Sequence, residues 1–290
     1  TKVGCEGAFS MGIAVGDYDN DGYPDLYVCN YGRSTLFKNR GGNSFIDVTG
    51  KAGVGNEKRC AIAATWLDYD KDGFLDLYVG NYIEFDPQYN LFYAPDGFPG
   101  PLSYSGQSDR FYKNRGDGRF EDVSAQVGIA RFKGRAMSVA ASDYDGDGYD
   151  DIYVTNDAME NFLFKNENGK RFVNVAVKSG VAFNSVGDST SSMAVDFGDY
   201  NGDGKLDIFV SDSSINSLFQ NDGEGLFSDV ALESGIAPSS AQFVGWGSFF
   251  FDYDNDGDLD LFKVNADLSR LFGQEDQLFE NVGDGKFKDV

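Results

Sequence analysis

The chain has 290 residues and a formal net charge of -23, from 47 acidic and 24 basic side chains. That charge repels phosphate backbones and anionic lipid, which places nucleic-acid and peripheral membrane binding last among the candidate functions. Hydrophobic residues make up 41% of the chain, enough for a folded core, and the absence of histidine removes Ser-His-Asp and Cys-His catalysis.

One acidic motif dominates the chain. The string Asp-x-Asp-x-Asp-Gly-x-x-Asp occurs five times, with Asn201 replacing one aspartate, and its starts lie 51, 75, 56 and 53 residues apart. Regular spacing of this kind is typical of repeat architectures. It predicts a single domain over residues 1–290. The predicted repeats are approximately 1–54, 55–129, 130–181, 182–236 and 237–290, with an insertion at 82–105 in the second.

Each repeat predicts four short strands separated by turns. In the first repeat these are 11–15, 26–29, 35–38 and 44–48, rich in β-branched and aromatic residues and too short for helices. Four strands per repeat of about fifty residues is typical of a propeller blade. The sequence therefore predicts an all-β propeller of four-stranded antiparallel blades, with an open solenoid of hairpins as the alternative.

The acidic motifs, here called loops one to five (17–25, 68–76, 143–151, 199–207 and 252–260), predict metal sites. Alternate carboxylates on a tight turn present oxygens to one hard cation, and glycine at position six permits the bend. Calcium fits better than magnesium, which demands a tighter octahedron. We expect about five Ca²⁺ ions, one per repeat. The predicted ligands are Asp17, Asp19, Asp21, Tyr23, Asp25, Asp68, Asp70, Asp72, Phe74, Asp76, Asp143, Asp145, Asp147, Tyr149, Asp151, Asp199, Asn201, Asp203, Lys205, Asp207, Asp252, Asp254, Asp256, Asp258 and Asp260.

Two alternatives to a calcium loop of this kind are a metal-free turn and an EF-hand. A metal-free turn rich in Asp and Gly is one alternative, but four neighbouring carboxylates repel each other without a cation. An EF-hand requires glutamate at position twelve and flanking helices, whereas position twelve is valine in four loops and Lys263 in the fifth. Asn201 lowers the charge of loop four, which predicts weaker binding there. At position seven the ligand is expected to be the backbone carbonyl.

These repeats resemble the FG-GAP or VCBS repeats of the integrin α-chain propeller and of secreted bacterial proteins. Segments 68–79 and 109–120 resemble most closely the cartilage acidic protein family, also called ASPIC and UnbV proteins. The resemblance covers the whole chain and implies a calcium-stabilised propeller, usually of seven blades, without an established catalytic centre. It also implies an extracellular, cell-surface or periplasmic setting.

The five repeats leave the number of blades open. Either five blades close on themselves, or the chain supplies five blades of a seven-bladed propeller, whose usual C-terminal domain is missing. The three cysteines are too few for a disulfide scaffold. A single disulfide, Cys29 to Cys60 or Cys5 to Cys60, is left open, as is the oligomeric state.

The insertion at 82–105 predicts a partner-binding surface, because long loops stiffened by proline on a rigid scaffold commonly bind. The alternative is that its aromatic rings pack on their own blade. A ring of polar residues after each second strand is either a ligand site or a set of strand ends. The candidate partner-binding residues are Tyr82, Phe85, Tyr89, Phe92, Tyr93, Phe98 and Tyr104, and the polar ring is Asn30, Asn81, Asn156, Asp212 and Asn265.

The leading hypothesis is a secreted, non-enzymatic adhesion or interaction module, in which calcium is structural and the partner is an extracellular protein or a glycan. A carbohydrate-active enzyme, such as a polysaccharide lyase, is the first alternative, because propellers host such chemistry. A subunit of an extracellular assembly, joined through aromatic loops or open blade edges, is the second.

Overall fold

The computed structural model describes residues 8–86, 99–267 and 273–290. The chain divides into two compact units within the third repeat. Unit one comprises Thr1–Ala141 and Asn166–Phe172, and unit two comprises Ser142–Lys165 and Val173–Val290.

In unit one, the first two repeats each form an antiparallel meander. Strands pair in chain order, and the first pair of the first repeat runs in register from Gly12 opposite Cys29 to Gly16 opposite Asp25. The second repeat repeats this order, and its first strand also pairs briefly with the first repeat. The strands are β1 (Phe9–Gly16), β2 (Asp25–Gly32), β3 (Thr35–Asn39), β4 (Phe45–Asp47), β5 (Arg59–Leu67), β6 (Asp76–Asn81), β7 (Gln107–Ser108), β8 (Arg110–Asn114) and β9 (Phe120–Asp122).

The remaining repeats have the same four strands. In unit two, β12 pairs with β13 through Ile152 opposite Phe164, and the fourth and fifth repeats each form a complete antiparallel sheet in chain order. The strands are β10 (Lys133–Gly134), β11 (Ala136–Ser142), β12 (Asp151–Asn156), β13 (Phe162–Asn166), β14 (Phe172–Asn174), β15 (Ser192–Gly198), β16 (Asp207–Asp212), β17 (Ser217–Gly223), β18 (Leu226–Asp229), β19 (Gly245–Phe251), β20 (Asp260–Asn265), β21 (Gln277–Asn281) and β22 (Phe287–Asp289).

The cores lie between neighbouring blades of the same unit. Tyr18, Tyr27 and Leu77 are buried in unit one, where Trp66 stacks on Tyr18 with ring centroids 6.1 Å apart. In unit two, Phe209, Leu218, Ile236, Leu261 and Phe279 form the corresponding cluster. Buried aromatic and aliphatic residues on the second and third strands, such as Tyr27 and Phe279, stabilise blades whose strands are short, from three residues in β4 to nine in β5.

Among the residues that the structure describes, helical structure occurs only as short turns. They are α1 (Thr49–Ala52), α2 (Ala176–Ser179), α3 (Ile236–Ser240) and the 3₁₀ turns Pro101–Ser103 and Ile129–Arg131. Each α-turn follows the fourth strand of a repeat and begins the connection to the next. In the part of the chain that the structure describes, no helix has the length and apolar character needed to cross a membrane.

The predicted all-β class and its repeated four-stranded blades are confirmed. In the first repeat the observed strands overlap all four predicted segments, although β1 and β2 extend beyond them because antiparallel pairing continues past the apolar core. The Cys29–Cys60 disulfide, which the sequence left open, is not formed: both thiols are free and buried. Cys5 lies outside the described residues.

Candidate metal centres

Loop one connects β1 to β2 and is closed by its first aspartate. The amide of Asp21 donates to Asp17 Oδ1 at 3.1 Å, and the amide of Gly22 donates to Asp17 Oδ2 at 2.8 Å. Gly22 has a φ of +87°, a conformation in which a Cβ would be strained. The sixth position is therefore glycine for backbone reasons, as the motif predicts.

The same closure recurs in the other four loops. The glycine at position six donates to the aspartate at position one in every case, and its φ is positive throughout. The distances are 2.9 Å for Gly73 to Asp68, 2.7 Å for Gly148 to Asp143, 2.9 Å for Gly204 to Asp199 and 3.1 Å for Gly257 to Asp252.

The aspartate at position nine anchors each loop to the blade. It begins the second strand and is buried, as in Asp25, Asp76 and Asp207, whose relative exposure is 0%. In four loops its Oδ1 accepts the amide of an asparagine in the third strand at 2.7 Å. Burial raises the pKa of Asp25 to about 6, and those of Asp76 and Asp207 to about 7. A carboxylate so desolvated gains most from a cation beside it.

Positions one, three and nine converge in four of the five loops. One oxygen from each lies within 4.8 Å of the other two, in loops one, two, three and five. Loop four presents Asn201 in place of the second carboxylate. The converging triads are Asp17, Asp19 and Asp25; Asp68, Asp70 and Asp76; Asp143, Asp145 and Asp151; and Asp252, Asp254 and Asp260.

Several oxygens in these loops have no hydrogen-bond partner although they are buried. They include Oδ1 of Asp19, Asp70 and Asp143, and Oδ2 of the fully buried Asp207. Buried oxygens of this kind are costly unless a donor or a cation satisfies them. The donor set, made of several carboxylate oxygens on a tight turn, therefore fits a hard divalent cation such as Ca²⁺.

The aspartate at position five lies outside the converging triads. Its Oδ1 accepts the amide of the residue at position seven, at 2.9–3.1 Å in all five loops. In loop one its Oδ2 lies 3.0 Å from Lys38 Nζ. The predicted position-seven carbonyls of Tyr23, Phe74, Tyr149, Lys205 and Asp258 remain predictions, as do the complete ligand sets.

Lysines from the third strand reach three of the loops. Lys38 contacts Asp19, Lys113 contacts Asp70 and Lys165 contacts Asp145, each at position three. Burial lowers the pKa of Lys38, but its hydrogen bonds to Asp19 and Asp21 outweigh burial and hold that pKa above its ordinary value. These lysines were missed by the sequence reasoning, although their constant place in the third strand is visible in the repeats.

The role of the asparagine at or near the end of each third strand was also missed. Asn114 Nδ2 donates to the carbonyl of Tyr18 in loop one at 2.8 Å and to that of Leu75 in its own loop at 3.0 Å. It thereby ties the loop of one blade to the next. The same bridge to the preceding loop is made by Asn166 to Tyr69 at 2.9 Å, Asn221 to Tyr144 at 2.9 Å and Asn281 to Tyr200 at 2.8 Å.

The polar ring predicted after each second strand has a structural explanation. Asn30, Asn156 and Asn265 are buried, and each donates through Nδ2 to a carbonyl just before the third strand, at 2.8–2.9 Å. Asp212 instead accepts the amide of Ser214 at 3.0 Å. These contacts close the turns between second and third strands, so they support the strand-end interpretation of the ring.

The described part of the insertion contributes to a cleft in unit one. Phe85 is 40% exposed, and its ring lies 5.9 Å from that of Tyr31 and 5.6 Å from that of Tyr104. The cleft has a volume of about 560 Å³ and is also lined by Lys58 and Gln107. Tyr104 is buried and Tyr82 half-buried, and the partner-binding role of both stays a prediction. The other predicted partner-binding residues, Tyr89, Phe92, Tyr93 and Phe98, lie outside the described residues.

Comparison with known proteins agrees with this architecture. The chain is 28% identical over 300 residues to cartilage acidic protein 1 of Xenopus tropicalis, covering 97% of this chain and 43% of the relative. It is 28% identical over 279 residues to the Homo sapiens protein of the same name, covering 88% of this chain and 39% of that relative. The chain thus spans about two fifths of the length of these relatives.

A solved structure shares the fold. The Vibrio (V.) cholerae biofilm matrix protein Bap1 matches with a TM-score of 0.50 at 16% identity, over 97% of this chain and 39% of that one. The family model for FG-GAP-like repeats matches residues 6–79, 96–154, 143–210 and 199–262, which is most of the sequence. With its repeated four-stranded blades and acidic loops, the chain belongs to the FG-GAP-like repeat family.

Proposed function

We propose that this chain is a calcium-binding, extracellular interaction module in which the cation is structural. The observation that carries the proposal is the convergence of three carboxylates in each of four loops, together with buried oxygens that have no other partner. Asp17, Asp19 and Asp25 would hold the ion in loop one, and their counterparts would hold it in the other loops. When bound, calcium supplies positive charge that neutralises these carboxylates.

The loops have a structural place in the fold. Each joins the first two strands of a blade. In unit one, the hydrogen bond from Asn114 to the Tyr18 carbonyl also links loop one to the next blade. Fixing a loop therefore fixes both a strand pair and the contact between blades. A bound cation stabilises the native state by mass action, since the unfolded chain cannot assemble the same oxygens.

The test of this role is a thermal unfolding series. We expect the melting temperature to rise with calcium from excess chelator to millimolar concentration, and Asp207→Asn to reduce that rise. Asp222→Asn is the matched control, because Asp222 is an exposed carboxylate that accepts only from Ser228 in the described chain. Equal melting temperatures in chelator and in calcium would refute a structural cation.

The partner is proposed to dock at the cleft beside Tyr31 and Phe85. Exposed aromatic faces next to Glu57, Lys58 and Gln107 combine stacking area with hydrogen-bonding groups, which favours a glycan over a flat protein surface. An extracellular location suits both the cation and the partner, since extracellular calcium modules bind at about 10⁻⁴–10⁻³ M. The relatives' name, which refers to cartilage, supports the same location.

Docking is tested on a glycan array in millimolar calcium. Phe85→Ala and Tyr31→Ala are expected to lose binding at least tenfold, whereas Leu232→Ala, an exposed apolar residue in unit two, is expected to leave it unchanged. Binding that survives both cleft substitutions would refute this docking site.

We propose no catalytic step. The alternatives of a polysaccharide lyase and of an assembly subunit are addressed by turnover on a polysaccharide panel and by mass measurement in calcium.

A further inference from the structure

One residue that lies outside the motif, but close to each loop, differs among the five repeats. It lies on the third strand, immediately before the bridging asparagine. This residue is lysine in the first three repeats, glutamine in the fourth and glutamate in the fifth. In chain order it is Lys38, Lys113, Lys165, Gln220 and Glu280.

In the first three loops the lysine lies against two carboxylates at once. Lys38 contacts Asp19 at position three, and its Nζ lies 3.0 Å from Oδ2 of Asp21 at position five. The position-five distance is 3.1 Å from Lys113 to Asp72 and 3.3 Å from Lys165 to Asp147. The ammonium group is thus a counter-ion built into the same loop that would receive the cation.

Each of these lysines is partly removed from solvent. The side chain of Lys113 is 19% exposed, and its Nζ lies 5.3 Å from the centroid of the Tyr69 ring, in loop two. Because aspartates hold each ammonium group, and an aromatic face also holds that of Lys113, each has a fixed position rather than that of a mobile surface charge. Its effect on a neighbouring cation is therefore less screened than that of an exposed ion pair.

Loop five has the opposite arrangement. Among residues 8–86, 99–267 and 273–290, no Lys or Arg nitrogen lies within 4.0 Å of its carboxylates. The strand register places Glu280 where the lysines stand, because Leu261 pairs with Phe279 as Leu26 pairs with Phe37. Asp258 at position seven adds a further carboxyl group. Loop five therefore combines the most acidic side chains with no built-in counter-ion.

We propose that the third-strand residue sets the order in which the loops take up calcium: loop five binds most tightly, and loops one to three bind more weakly because a lysine already neutralises their carboxylates. This inference rests on the proposed function of the loops. Calcium affinity in oxygen-ligand loops depends on the charge of the ligand set. An ammonium held at about 5 Å from a divalent cation weakens binding by about tenfold, even at the dielectric constant of water.

The lysines also give loops one to three a second role. At low calcium they hold together carboxylates that would otherwise repel, so these loops keep their shape before the cation arrives. Removing a lysine should therefore have two effects of opposite sign, with lower stability in chelator and higher affinity for calcium. A side chain that only packs against the loop would lower both.

The experiment uses the full chain and calorimetric titration with CaCl₂ after chelator treatment. We expect one site of the parent protein to be tighter than the others. Lys38→Gln, which introduces the residue of the fourth repeat, should tighten one weak site about tenfold and lower the melting temperature in chelator. Gln220→Lys is the reciprocal variant and should weaken one site. Glu280→Lys should weaken the tightest site by tenfold or more, with Glu280→Gln intermediate.

The outcomes separate the two proposals. If the parent protein binds no calcium, the proposed function fails. If it binds calcium but Lys38→Gln and Gln220→Lys leave every affinity within twofold, the role of the third-strand residue is refuted while calcium binding stands. A loss of both stability and affinity in Lys38→Gln would equally refute it. Should Glu280→Lys not fold, the other two variants decide the question.

Discussion

The side-chain bridge from Asn114 is the contact whose loss can be calculated most directly. Asn114 is 1% exposed, and its Nδ2 donates to Tyr18 O at 2.8 Å and to Leu75 O at 3.0 Å. Its Oδ1 accepts the amide of Gly116 at 2.9 Å. The substitution Asn114→Ala removes all three hydrogen bonds and leaves the backbone of the third strand in place.

The magnitude follows from which groups lose a partner. The Tyr18 carbonyl is buried, so leaving it unsatisfied costs about 1–3 kcal/mol, whereas Leu75 O and Gly116 N are less buried and cost about 0.5–1.5 kcal/mol each. The sum predicts a loss of about 2–6 kcal/mol in the free energy of unfolding. Because Tyr18 lies in loop one and Asn114 in the second repeat, the loss falls on the contact between blades of unit one.

Equilibrium unfolding in urea, at constant millimolar calcium, measures this loss. The matched control is Asn43→Ala, which removes an exposed amide that donates to Gly41 O at 3.2 Å and should change stability by less than about 0.5 kcal/mol. A loss below about 1 kcal/mol for Asn114→Ala, similar to that of the control, would refute the role of the bridge.

Two further substitutions test the blade contact and a buried carboxyl group. A Cβ at Gly12 would lie 2.1 Å from Ile62 O, so Gly12→Ala should cost about 2–3 kcal/mol in urea unfolding, whereas Gly50→Ala, in open space, should not destabilise. A parent-like midpoint for Gly12→Ala would contradict the close approach of β1 to β5. Burial raises the pKa of Asp109 from 3.8 to about 7. Between these values the native state binds the extra proton, so stability should fall as pH rises from about 4 to about 7, by at most about 4 kcal/mol. Asp109→Asn should flatten this fall relative to the parent, and an unchanged pH profile would argue against the buried carboxyl as its source.

The repeats and their strands were predictable because both depend on local chemistry. Glycine at position six, with its positive φ, and the aspartate at position one define each turn, and the apolar residues of β16, such as Phe209, mark the strand that follows. The spacing of the motif and its turn residues recur in every repeat, so a wrong prediction at one position does not change the predicted architecture. For the same reason the motif alone indicated the carboxylates at positions one, three and nine that converge in four of the loops.

The contacts that distinguish one loop from another could not be predicted in this way. Asn114 and Tyr18 are 96 residues apart, and Lys113 reaches Asp70 from a different strand of its blade. Both contacts depend on which parts of the chain the fold brings together. A sequence motif does not contain that information. Whether Cys29 and Cys60 form a disulfide could not be predicted for a related reason, because proximity in the repeat pattern does not fix the distance and direction of two thiols; both are free in the structure.

A crystal structure grown in millimolar calcium, with anomalous difference density calculated at the loops, tests the central claim most directly. The account predicts a cation about 2.3–2.6 Å from oxygens of positions one, three and nine, which for loop five are those of Asp252, Asp254 and Asp260. At limiting calcium the same density should be strongest in loop five. Loops that contain only water in millimolar calcium would contradict the assignment of these carboxylates as a structural calcium site.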